Sequence, residues 1–284
     1  MDVSDLEGLA IGPESLRLSP ERIQSYVEAT GDDPDRWVET APPGLASAPL
    51  FAVAPELLSH PAVRAEGGAA VHGEQVFRWH APLRAEEDWT VRGAVRRVRH
   101  RRGVWFVDFA LQMTGSGGEP VVEGSSSFLI AGGEPPARGG TEEREPPPED
   151  RAENQKGVPA GLPGEGEEIP ALSKSASRAD LIRYAAATRD WNPIHWDHQS
   201  AVGAGLSGVV VHGLLCAAWL CQGVSRLVPG TAPLRRARFR FRRPLRPGVP
   251  AEVRGSRSQG LGFSMGLQSE GRTLITATIE AVAG

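Results

Sequence analysis

The stretch Tyr184-Ala-Ala-Ala-Thr-Arg-Asp-Trp-Asn-Pro-Ile-His-Trp-Asp197 decides how this chain is read. Upstream of it, Ser177 predicts a cap for a helix that runs to about Thr188. Asp180, three residues on, completes a capping box. Asn192-Pro193 then forces a bend, because proline biases the residue before it out of the helical region. Asp190 and His195 stand on either side of that bend. An acid and an imidazole so placed can converge on one small atom. Trp191 and Trp196 flank the pair and predict a partly dry pocket, in which such groups are electrostatically effective. Turn strings of this kind also serve purely structural ends, so the pair alone leaves function open.

A second element narrows the choice. Gly208-Val-Val-Val-His-Gly-Leu-Leu215 opens a very apolar helix predicted from about Val210 to Leu227, with Gly213 in its first turn. A helix start offers unpaired N–H groups and a partial positive charge. Glycine there lets a substrate carbonyl approach closely, which an enolate-type oxyanion requires. It also serves close helix–sheet packing. The polar chemistry thus gathers at Asp190, Asn192, His195, Asp197, His198, His212 and Gly213. Strand-like segments follow near 233–243, 250–257, 262–269 and 272–282, divided by Gly and Pro.

The first half repeats this order. Phe77-Arg-Trp-His-Ala-Pro-Leu-Arg84 matches Phe239-Arg-Phe-Arg-Arg-Pro-Leu-Arg246, and Tyr26-Val-Glu-Ala-Thr-Gly-Asp32 matches Tyr184-Ala-Ala-Ala-Thr-Arg-Asp190. Collinear matches of this length imply an internal duplication into two domains. Ser19-Pro20-Glu21 starts the first helix, and strands are expected near 71–80, 88–98, 103–114 and 120–131. Pro42, Pro43, Pro49, Pro55 and Pro61 predict only short helices between Trp37 and Val71. The position matching His195 holds Trp37, so the first half keeps an acid and lacks the imidazole.

Domains are expected at 1–131 and 171–284, joined by a disordered Gly/Pro/Glu-rich linker over 132–170. Residues 132–168 carry ten acidic and four basic residues, which leaves the rest of the chain near neutral and argues against nucleic-acid binding. Cys216 and Cys221 point roughly 140° apart on a helix and cannot bridge there. No apolar run reaches the roughly 20 residues of a membrane span, and the acidic start Met1–Glu7 lacks a signal-peptide pattern. A cytoplasmic protein is expected. No Cys/His set has structural-zinc spacing, so no metal is expected.

The compound string Tyr184-x-x-x-Thr-x-Asp-x-Asn-Pro-Ile-His-x-Asp197, followed by Gly205-x-x-Gly-Val-Val-Val-His-Gly213, resembles the MaoC-like hydratase signature. That family includes (R)-specific enoyl-CoA hydratases and (3R)-hydroxyacyl-ACP dehydratases. The resemblance implies an α+β double hot-dog fold, each antiparallel sheet wrapped round a long central helix, with a degenerate first repeat that lacks that helix. It makes Asp190 and His195 the catalytic pair, with Asn192 in a lesser role. Gly213 N–H would bind the thioester oxygen, with Val211 and His212 as neighbouring substrate-binding positions. It implies an acyl-CoA or acyl-ACP substrate, no cofactor, and room for a homodimer. Arg189 departs from the pattern, where glycine is usual, and could narrow the pocket or meet a charged substrate group. A hot-dog thioesterase and a non-catalytic acyl-binding subunit are the alternatives. His72-Gly73 repeats the His212-Gly213 string but precedes a strand, and is read as coincidence.

Overall fold

The matched strings at Phe77 and Phe239 lie side by side in the folded chain. The computed structural model describes residues 2–67, 70–131 and 161–282. In chain order the elements are β1 (Ala10–Arg17), α1 (Pro20–Thr30), α2 (Ser47–Leu58), α3 (Pro61–Ala65), β2 (Ala70–Trp79), β3 (Asp88–Arg101), β4 (Val104–Thr114) and β5 (Pro120–Ala131). They continue with β6 (Leu172–Lys174), α4 (Arg178–Thr188), α5 (His198–Gly203), α6 (Gly213–Ser225), β7 (Leu234–Phe241), β8 (Ala251–Arg257), β9 (Gly262–Ser269) and β10 (Arg272–Ala281). The ten strands make one sheet in the order β1-β3-β4-β5-β2-β7-β10-β9-β8-β6. Strands β2 and β7 meet antiparallel at its centre, and each half reads outward from that seam in the same order.

The seam's register carries the duplication. Gln75 faces Phe239 and Phe77 faces Ala237, so exchanging equivalent residues of the two halves exchanges these pairs. Glu74 of β2 accepts from Arg238 and Arg240 of β7, at 2.8 Å and 3.1 Å. Farther in, α1 packs on α4, with the Tyr26 and Tyr184 rings 5.5 Å apart.

Helix α6 is buried on every side from Leu214 to Ser225. Burying each of its large apolar side chains contributes about 1.5–3 kcal/mol, which fixes the helix against β7–β10. The first half has a central helix too, contrary to the expectation drawn from its prolines. Helix α2 spans twelve residues, Ser47 to Leu58, and packs on β1, β3 and β4. Pro49 sits in its first turn, where no N–H is needed, so only Pro55 removes an internal hydrogen bond. Burial of Leu50, Phe51, Val53, Ala54 and Leu57 outweighs that loss. The repeat is therefore degenerate in its site residues and not in its framework.

The eight expected strands are present within three residues at either end. The unexpected two are the sheet's edges. Strand β1 carries Gly12-Pro13 and pairs only with β3, the place where a sheet tolerates proline. Strand β6 has three residues. Residues 132–160 of the expected linker lie outside the described residues. In its last part Gly166 N–H donates to Arg257 O at 2.8 Å, Ile169 N–H donates to Gly255 O at 2.9 Å, and Ile169 is buried. Cys216 and Cys221 are buried thiols. Among the described residues no helix is long and apolar enough to cross a membrane.

Candidate active site

The site begins at the end of α4. Ser177 and Asp180 form the expected capping box at its start, with reciprocal bonds of 3.1 Å and 3.0 Å. At the other end the Thr188 hydroxyl donates to Tyr184 O at 2.7 Å and accepts from Asp190 N–H at 3.3 Å. This fixes the chain as it leaves the helix and turns Asp190 inward, where it is buried. Asn192 then caps a 3-10 turn over Pro193–His195, its Oδ1 accepting from Ile194 N–H at 3.3 Å. Its own backbone N–H faces the Asp190 carboxylate and favours the charged form. Asn192 thus holds the turn that carries His195.

His195 Nδ1 lies 2.8 Å from Val210 O. A carbonyl oxygen can only accept, so Nδ1 carries the proton and Nε2 is left with a free lone pair. The His195 ring stacks on His212 at 3.8 Å between centroids. His212 Nε2 in turn donates to Asp190 O at 3.2 Å. Asp190, His195 and the first residue of α6, Gly213, all line one cavity of about 220 Å³. Its other walls are mostly apolar, among them Phe51, Leu58, Phe128, Leu214 and Phe241, drawn from both halves of the chain. As the first residue of the helix, Gly213 has an N–H with no intrahelical acceptor. A methyl group there would lie 3.2 Å from the Phe241 ring, so glycine serves packing as well as access.

Burial sets the electrostatics. It raises the Asp190 carboxyl from 3.8 to about 7, against the opposing hydrogen bond from Asn192 N–H. It lowers the His195 imidazole to about 4, so the ring is neutral near neutrality. His212 is pushed well below its ordinary range by burial and then by His195. An acid half-ionised near pH 7 beside a neutral imidazole is suited to moving one proton. Asp190, His195 and His212 also offer ligand atoms within 4.8 Å of one another, although His195 Nδ1 and His212 Nε2 are already engaged by carbonyls.

Several expected roles change. His212 is fully buried behind the cavity, where it supports the ring of His195 and the backbone of Asp190, and it does not line the cavity. Val211 lines the cavity, but its N–H donates to Leu245 O at 2.8 Å and is not available to an oxyanion. Asp197 caps α5 through Ser200 N–H, and His198 packs beside Gly208, away from the pair. Trp191 and Trp196 are half exposed, so the dryness comes from the apolar walls instead. His72, read as coincidence, lines the same cavity. The β-bulge that brings it there has no simple sequence signal beyond Gly73.

Arg189 points to solvent at the αL position that ends α4, with φ 66°. It does not line the cavity. Glycine adopts this conformation without a Cβ penalty. Arg189→Gly is expected to raise stability by about 0.5–1 kcal/mol in urea denaturation. An unchanged or lower midpoint would show that Arg189 makes a compensating contact.

Residues 163–273 match the family model described as MaoC like domain. The chain carries a MaoC-like dehydratase domain. Ahead of this MaoC-like domain, residues 6–124 match a FAS1-like dehydratase domain region. Within 69 residues the chain is 35% identical to the mitochondrial 3-hydroxyacyl-[acyl-carrier-protein] dehydratase of Arabidopsis thaliana, covering 24% of this chain and 41% of that protein. The chain thus spans about two-fifths of the length of that relative. A solved MaoC-like dehydratase superposes with a TM-score of 0.79 at 21% identity, over 98% of this chain and 99% of that one. A Mycobacterium tuberculosis protein with a double hotdog fold superposes at 0.67 and 14% identity, over 97% and 96%. The fold around the MaoC-like domain is therefore a double hotdog.

Proposed function

We propose that the chain hydrates 2-enoyl thioesters, and in reverse dehydrates (3R)-3-hydroxyacyl thioesters, on coenzyme A or an acyl carrier protein. The observation that carries this reading is the opening of Asp190, His195 and the Gly213 helix start onto one apolar cavity. The thioester oxygen lies at Gly213 N–H, where the end of α6 stabilises negative charge. One water donates to the Asp190 carboxylate and to His195 Nε2. Its oxygen bonds to C3 as Asp190 takes its proton, and the C2=C3 electron pair moves into an enolate. Asp190 returns the proton to C2, so the elements of water are added and the site is regenerated. Dehydration runs the same steps backward. The chemistry uses no metal and no cofactor.

The test is loss of enoyl absorbance from crotonyl-CoA and longer 2-enoyl thioesters on both carriers. The rate is expected to rise with pH through a midpoint near 7, because the reaction needs ionised Asp190. Neutral His195 adds no second inflection above about 4. Thiol release without enoyl hydration would establish a thioesterase instead. Inactivity relieved only by a second protein would establish an acyl-binding subunit.

A further inference from the structure

The loop from Arg189 to Trp196 sends its side chains in two directions. Asp190, Asn192, Ile194 and His195 line the cavity. Arg189, Trp191 and Trp196 are exposed, the two tryptophans by 52% and 49%. Two hydrogen bonds hold this outward set together. Trp191 N–H donates to Arg189 O at 3.1 Å, which closes a tight turn at Asp190, and the Trp196 indole N–H donates to Trp191 O at 3.4 Å. Two large apolar rings left in water beside a cavity mark a surface that something covers.

The charge on this surface is positive. Arg189 sits in the αL conformation that glycine adopts at no cost, and a strained residue kept beside a site is a recurrent sign of a role there. Its guanidinium makes no hydrogen bond or ion pair among the described residues. Arg22 stands near it, and the two like charges oppose each other. Arg22 is bonded to Arg17 O and Ala187 O and not to an acid. Asp197, next along the loop, is taken up by Ser200 N–H. Exposed indoles take a base by stacking, and guanidinia take phosphate.

Position limits what reaches it. Asn192 and Ile194, between the two tryptophans, line the cavity and are themselves part-exposed, as are Ala204 and Leu206. Trp191 and Trp196 adjoin Asp190 and His195 in the chain, each one Cα step of about 3.8 Å from a member of the pair. A pantetheine arm is about as long as four peptide residues, roughly 14 Å when extended. From a thioester held at the pair, an arm of that length carries its far end to the outer side of the loop. In coenzyme A that end is an adenine nucleotide bearing phosphates. In an acyl carrier protein it is a serine on a protein surface.

We propose that the outer side of this loop binds the nucleotide end of coenzyme A, with Trp191 and Trp196 taking the adenine and Arg189 a phosphate, so that coenzyme A is the carrier used. This rests on the acyl-thioester reading above. The experiment compares crotonyl-CoA with crotonyl-4′-phosphopantetheine, which keeps the arm and lacks the nucleotide, and with crotonyl-loaded acyl carrier protein. In the wild type, kcat/KM for crotonyl-CoA is expected to exceed that for the phosphopantetheine thioester at least about tenfold, through KM, as stacking of one base on an aromatic ring provides. Trp191→Ala and Trp196→Ala should each bring that ratio toward one, and Trp191→Phe, which keeps a ring, should hold part of it. Arg189→Gly should lower the ratio as well, and with glycine favoured at this position the fall is not a folding defect. The ratio is taken within each variant, so general damage to the site cancels. A wild-type ratio near one overturns the proposal, as does a ratio that survives all three substitutions, or better use of the carrier-protein thioester. Tryptophan variants that split a dimer and keep the ratio place the loop in a subunit contact and overturn it too. Hydration of crotonyl-4′-phosphopantetheine tests the underlying reading separately. If no thioester is hydrated, calorimetric binding of coenzyme A against 4′-phosphopantetheine decides the proposal by the same ratios.

Discussion

Asp190→Asn is expected to lower hydration of crotonyl-CoA at least 100-fold and, above neutral pH, to make the protein more stable. The activity loss follows from removing the group that takes and returns the proton in the proposed reaction, a role typically worth about 10²–10⁴-fold. The gain in stability follows from the same burial that tunes the acid. Below 3.8 the carboxyl is protonated in both the folded and the unfolded chain and nothing is lost. Between 3.8 and about 7 the unfolded chain ionises and the folded chain resists, so wild-type stability falls by about 1.4 kcal/mol per pH unit. Above about 7 the deficit is constant. Asparagine has no such ionisation and keeps a carbonyl oxygen facing Asn192 N–H. Its advantage should be absent near pH 4 and on the order of 4 kcal/mol at pH 8.

His195 acts with the opposite sign. Its folded value lies below 6.5, so it contributes stability above 6.5 that is lost as pH falls toward about 4. Both proteins share that term, and it cancels in their difference. Urea midpoints of wild type and variant at pH 5, 6.5 and 8 therefore isolate Asp190. A difference that does not change with pH would mean that the acid is not held at a raised value. His195→Ala should share the activity loss without the alkaline gain in stability.

The second half was legible because its signals are local. A cap at Ser177, a bend at Asn192-Pro193 and a glycine at a helix start each act within four residues. Asp190, His195 and Gly213 were placed together on those grounds, and one cavity joins them. The failures concern long-range effects. Val211 lines the cavity as a neighbour of Gly213, but Leu245 O takes its N–H, and His212 lies behind the wall with its Nε2 on Asp190 O; those partners are 34 and 22 residues away in sequence. Helix α2 was hidden because proline propensity was weighed without the burial that overrides it. His72 was hidden because a one-residue bulge changes which face a side chain takes, and no periodicity records it.

The first half's lost histidine leads to the second large effect. Trp37, at the place of His195, is buried, and the loop around it has taken a different task. Its neighbour Arg36 donates to Ser225 O at 2.6 Å, to Val228 O at 2.8 Å and to Gly230 O at 2.6 Å. These are the carbonyls at and just beyond the C-terminus of α6, whose other end is the proposed oxyanion site. A cation there complements the helix dipole as well as the orphan acceptors. Charge-assisted bonds of this kind contribute about 1.5–3 kcal/mol; removing the partner leaves Ser225 O with Val228 N–H alone, at 3.2 Å, and takes the guanidinium from Val228 O and Gly230 O. Arg36→Ala should therefore lower stability by about 3 kcal/mol in urea denaturation. Arg36→Lys should recover little, since one ammonium cannot span the three acceptors as the planar guanidinium does. A loss under about 0.5 kcal/mol would put Arg36 among ordinary surface residues. With the expected loss, the degenerate repeat holds the far end of the helix whose near end is the proposed oxyanion site.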